Sequence, residues 1–84
     1  MPRYFFHVRN GTGDVEDEEG RELSDLDAAR LEGLKGARSI VADGVTQGHL
    51  DLNGEIHIVS EDGRVLLTLT FGEAVGLASK AVAE

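Results

Sequence analysis

An α+β fold, a mostly antiparallel sheet of three or four strands with one long helix packed on one face, is predicted by three observations. Short apolar runs of strand character lie beside the turn pairs Asn10-Gly11, Asn53-Gly54 and Asp62-Gly63. Between them runs a long segment, about Leu26 to Asp43, with apolar residues at helical spacing. Helix-start chemistry stands at Ser24-Asp25 and again at Thr70-Phe71-Gly72-Glu73. The order is β-β-α-β-β-α, in a single domain over residues 1–84.

The first strand is Arg3 to Arg9, rich in aromatic and β-branched residues; alternation puts Tyr4, Phe6 and Val8 on one face and Phe5 and His7 on the other. After the turn at 10–13, a short edge strand should return over Asp14 to Asp17, blunted by its charges. Ser24 is placed to cap the long helix, with Leu23 stapled onto Ala28 and Gly44 as the C-terminal stop. The buried stripe of that helix is Leu26, Ala29, Gly33, Ala37, Ile40 and Val41, with Leu34 beside it. Its small residues Ala29, Gly33 and Ala37 let the backbone lie close on a sheet. The third strand is Glu55 to Val59 and the fourth Arg64 to Thr70, joined through Asp62-Gly63. A two-residue turn there pairs Val59 with Leu66, Ile58 with Leu67, His57 with Thr68 and Ile56 with Leu69, so that Ile56, Ile58, Leu67 and Leu69 share a face. A capping box at Thr70–Glu73, with Leu69 stapled onto Ala74, should open a second helix running to about Val82.

Sixteen acidic residues against eight basic ones give a formal net charge of −8. Such a chain repels phosphate backbones, and its Lys and Arg form no stripe, so no nucleic-acid partner is expected. There is no Cys, which excludes disulfides, thiolate metal sites and a Cys nucleophile together. The apolar run Tyr4 to Val8, broken by His7, is too short for a signal peptide or a membrane span, so a cytoplasmic location without membrane contact is expected. About 60% of the chain's surface is buried on folding at this size, enough for one modest core.

Few constellations carry chemistry. The run Asp14-Val15-Glu16-Asp17-Glu18-Glu19-Gly20 has oxygen ligands, but its Gly is misplaced for a calcium loop and its last ligand position falls on Asp25. A solvated charged hairpin is the expectation. His7 and His57 project from the face opposite the apolar one and would meet if their strands were neighbours, with Glu55 close by; as a zinc or iron site this lacks a spaced pair on one element. The serines lack a nucleophile elbow, and the glycines form no phosphate loop. No catalytic residue, metal site or cofactor is assigned.

Met-Pro-Arg-Tyr-Phe-Phe-His-Val-Arg at 1–9, Asp-Glu-Glu-Gly at 17–20, Glu-Leu-Ser-Asp-Leu-Asp-Ala-Ala-Arg at 22–30 and Asp-Gly-Arg-Val-Leu at 62–66 together resemble a family of short uncharacterised proteins, a domain of unknown function, common in alphaproteobacteria. The resemblance implies a stand-alone bacterial domain and brings no functional residues; this chain departs from the family pattern in using Gly33, Gly36 and Gly44 where Ala is usual. A more distant similarity, to HicB-type antitoxin domains, rests on a hairpin before the helix start Ser24-Asp25-Leu26. The expected function is a non-enzymatic protein-interaction or regulatory module. The alternatives are an antitoxin-like domain that neutralises a basic protein partner, and a metal protein using the His7/His57 face. The candidate interface, for a homodimer or another protein, is Phe5, His7, His57, Val59, Leu66 and Thr68 on the outer face of the sheet. The competing cover for that face is the last helix, through Val75, Leu77, Ala78 and Val82.

Overall fold

The computed structural model describes residues 1–10 and 13–76. Its elements are β1 (Arg3–Asn10), β2 (Gly13–Val15), β3 (Arg21–Glu22), α1 (Leu26–Thr46), β4 (Glu55–Val59), β5 (Val65–Thr70) and α2 (Phe71–Ala74). All strand pairs are antiparallel, in the order β2-β1-β4-β5, and β3 joins the edge of β1 at its opposite end. Among the described residues the sheet thus has five strands. The expected return strand over Asp14–Asp17 is replaced by two fragments, because residues 16–20 leave the sheet between them as an arch.

Two long cross-strand ladders align the faces. Along β1 and β4, Phe6 faces Ile58 and Val8 faces Ile56; along β4 and β5, Ile56 faces Leu69 and Ile58 faces Leu67. These residues turn toward α1 and form the core with Tyr4, Ala29, Leu34, Ala37 and Val41, Leu67, Phe6 and Val8 being half-buried at its margin. The small-residue ridge lets the helix lie close on the sheet: a Cβ on Gly33 would stand 2.7 Å from Leu69 Cδ1 and 3.2 Å from Ile58 Cδ1, and those side-chain ends would have to shift.

The β4–β5 connection corrects the expected register at one end. The loop is three residues long, with Gly63 N–H donating to Ser60 O at 3.0 Å, Ser60 N–H donating to Arg64 O at 2.9 Å, and Gly63 at φ +86°. That geometry pairs Val59 with Val65, not with Leu66, and a bulge then restores the expected pairing from Ile58–Leu67 onward. Leu66 is the extra residue and packs against the helix-side core, while Val65 stands 52% exposed.

The ends of α1 also differ from expectation. Asp25, not Ser24, is the N-cap, its carboxylate accepting the Ala28 N–H at 2.9 Å; an anion there meets the positive end of the helix. The helix continues through Gly44 to Thr46. It stops where Gly48, at φ +95°, allows a Schellman closure: His49 N–H donates to Gly44 O at 2.9 Å and Gly48 N–H to Val45 O at 3.0 Å.

The capping box of α2 is present, with Glu73 N–H donating to Thr70 Oγ1 and Thr70 N–H to Glu73 Oε1. α2 covers only Phe71–Ala74, and the expected continuation over residues 77–82 lies outside the described residues. Phe71, 1% exposed, and Ala74 join the core, and Arg38 Nε donates to Ala74 O at 2.6 Å, which fixes α2 beside α1 on the helix side of the sheet.

Ile58→Ala should destabilise the fold by about 2–5 kcal/mol, as a fully buried side chain leaving a cavity does. Leu31→Ala, at a position 58% exposed on α1, should change stability by less than about 0.5 kcal/mol. Urea denaturation of both variants checks this contrast.

Candidate functional site

The outer face of the sheet is ordered in cross-strand rows. Asp14, Arg9, Glu55 and Thr70 form one row, His7, His57 and Thr68 the next, and Phe5, Val59 and Val65 the third. Beyond Phe5, Arg3 pairs with Glu22. Of the six residues expected to line an interface, Phe5, His7, His57, Val59 and Thr68 come together on this face. Leu66 does not, since the bulge turns it to the core and gives its place to Val65.

Val59 is 7% exposed yet stands outside the helix-side core cluster, so Phe5, Val59 and Val65 make a small second apolar cluster. The described part of the C-terminal segment does not cover it, because α2 packs against α1.

The acidic run, expected to be a solvated hairpin, is tied to β1. Asp17 Oδ2 accepts the Phe6 N–H at 3.1 Å, and Asp17 Oδ1 accepts the N–H groups of Glu19 and Gly20 at 3.2 and 3.1 Å. In return, the Asp17 N–H donates to His7 Nδ1 at 3.1 Å. Arg3 Nη1 donates to Glu19 O at 2.7 Å, and the arch closes so tightly that a Cβ on Gly20 would lie 2.9 Å from the Phe5 ring. Burial of the Asp17 carboxyl acts to raise its pKa, but the amides of Gly20, Phe6 and Glu19, with His7 nearby, outweigh it and hold the group below its usual range. One carboxylate therefore replaces the strand backbone that is missing between β2 and β3.

His7 and His57 face each other directly across β1 and β4. Their side chains are committed to different partners: His7 to the Asp17 amide, and His57, through Nε2, to Glu55 Oε1 at 2.7 Å. Among the described residues, no group of three His, Asp or Glu side chains is disposed to hold a metal ion.

A cleft of about 520 Å³ lies on the other side of the sheet, between α1 and the arch. Its floor is Phe6, Val8, Ile40 and Ile56, and at its rim Glu32 takes both Arg21, at 2.6 Å, and Lys35, at 3.5 Å. Asp17 and Glu19 also line the cleft, so its charges are of both signs.

A family model for a domain of unknown function, DUF6894, matches residues 3–72. The chain belongs to the DUF6894 family. The match runs from β1 into α2, so this DUF6894 domain includes every strand and the whole of α1. No curated protein and no solved structure matches it significantly. Among the described residues, no helix is long and apolar enough to cross a membrane.

Asp17 and Val65 are the site residues that sequence reasoning missed. For Asp17 a signal was present: an Asp followed at the third position by Gly favours a turn in which the carboxylate accepts the amides that follow. Asp17→Ala should cost roughly 1–3 kcal/mol by stranding those amides, while Glu18→Ala stays within about 0.5 kcal/mol. Because the native carboxyl titrates below the unfolded one, its contribution is complete above about pH 4 and is lost as pH falls through the native value. Urea denaturation as a function of pH should give Asp17→Asn a flatter acid limb than the parent.

Proposed function

We propose that this DUF6894 protein is a non-enzymatic interaction module that self-associates through the outer face of its sheet. The observation that carries the reading is the row Phe5–Val59–Val65, an apolar cluster on the side of the sheet away from both helices. Val65, 52% exposed at the end of this row, leaves apolar surface open on a small acidic chain, which favours a protein contact.

The charges favour a second copy as the occupant. The chain carries a net −8, yet the cross-strand rows of this face set Arg3 and Arg9 against Asp14, Glu22 and Glu55, close to balance, with the acidic arch along the β1 edge. Arg3 and Arg9 are already paired to Glu22 and Asp14 at 3.1 and 2.8 Å. Two copies meeting here across a two-fold axis escape much of the repulsion that other faces would impose.

Size exclusion with light scattering should give a dimer for the parent. Phe5→Glu and Val65→Glu should each give a folded monomer, with the circular dichroism spectrum retained. A monomeric parent contradicts the reading, as does a dimer that survives both substitutions.

A further inference from the structure

The bond between the arch and His7 has a chemical condition. For Nδ1 to accept the Asp17 N–H at 3.1 Å its lone pair must be free, so the proton of the neutral ring sits on Nε2. A second proton would enter at Nδ1 and turn that acceptor into a donor aimed at another donor.

The surroundings sharpen the effect. From β4, His57 lies directly opposite His7, and Glu55 holds the His57 ring at 2.7 Å. From the arch, the Asp17 carboxylate is the facing anion, already occupied by the amides of Phe6, Glu19 and Gly20. On β1 itself the charged neighbour is Arg9, paired to Asp14. From β5, His57 meets only Thr68, which does not titrate. Since the Asp17 carboxyl is held below its usual range, it stays an anion through mildly acidic solution.

We propose that His7 is a proton-operated latch: neutral, it holds the acidic arch on the edge of β1; protonated, it releases the Asp17 amide and sets a cation opposite His57, so that association through the outer face weakens. The association half rests on the self-associating reading given above; the latch half does not. Burying a cation in an interface carries a desolvation cost that a neutral ring does not.

Two measurements on the full chain separate the halves. In ¹⁵N NMR at pH 8, the His7 ring should show the Nε2–H tautomer. Between pH 8 and 5 the Asp17 amide shift should move with the midpoint of the His7 ring. His7→Gln, whose side-chain oxygen accepts the same amide without titrating, should flatten that profile. An Nδ1–H tautomer, or an Asp17 amide that stays still while the ring titrates, overturns the latch, and both are read on the parent alone. In sedimentation equilibrium, the dimer Kd should rise about tenfold or more between pH 7.5 and 5.5, as for an interface that admits only neutral imidazole. His7→Gln should remove most of that rise. An unchanged Kd in a dimeric parent overturns the association half. A monomer at both pH values overturns the outer-face reading itself and leaves the latch to the NMR result.

Discussion

The pairing of β1 with β4 is the constraint on which the rest of the molecule depends. It joins the N-terminal strand to the β4–β5 hairpin, two parts of the chain separated by the whole of α1. Because side chains alternate along each strand, this one register assigns both faces at once: Phe6 with Ile58 and Val8 with Ile56 toward the helix, Phe5 with Val59 and His7 with His57 away from it. A slip by one residue would put the histidines into the core and the core residues into water. The helix-side assignment is reinforced by α1, whose backbone comes close enough at Gly33 to touch Leu69 and Ile58.

The departures from regular structure sit where the sheet has no helix to lean on. At the edge of β1 the chain breaks between β2 and β3, and the Asp17 carboxylate supplies the acceptors that a strand would have supplied. At the other end, the three-residue loop after Ser60 shifts the hairpin by one residue, and the Leu66 bulge shifts it back. Both features select the outer face. The arch lays Gly20 on the Phe5 ring, and the bulge puts Val65 rather than Leu66 beside Val59. The apolar row and the paired histidines are thus products of local irregularity acting on a regular pairing.

Periodicity and capping chemistry were legible in the sequence; local competition between chemically similar residues was not. Of the helical stripe, Ala29, Gly33, Leu34, Ala37 and Val41 are buried while Leu26 and Ile40 are half-buried at the margin of the core, and the Thr70–Glu73 capping box forms. Ser24 and Asp25 both suit an N-cap, and Gly44 and Gly48 both suit a helix stop; which member acts depends on where the chain must turn to meet the sheet, and tertiary packing fixes that. Ile56, Ile58 and Leu69 could be assigned to the core from a two-residue turn even though the turn has three residues, because the bulge compensates within two positions. Phe71, among the largest fully buried side chains, sits inside a capping motif, where local chemistry masked its packing role. The β1 partners of Asp17 are ten and eleven positions away, beyond the reach of any spacing rule.

The register of β1 on β4 can be read directly. The Phe6 amide points to Asp17 and away from β4, so Phe6–Ile58 and Val8–Ile56 are the non-hydrogen-bonded pairs, in which facing Cα atoms approach to about 4.5 Å. Nuclear Overhauser spectroscopy in deuterated water should therefore show strong Hα–Hα cross-peaks for Phe6–Ile58 and for Val8–Ile56. Strong Hα–Hα cross-peaks from Phe5 or His7 to Ile58, or from β1 to β5, would contradict the pairing and, with it, the composition of both faces.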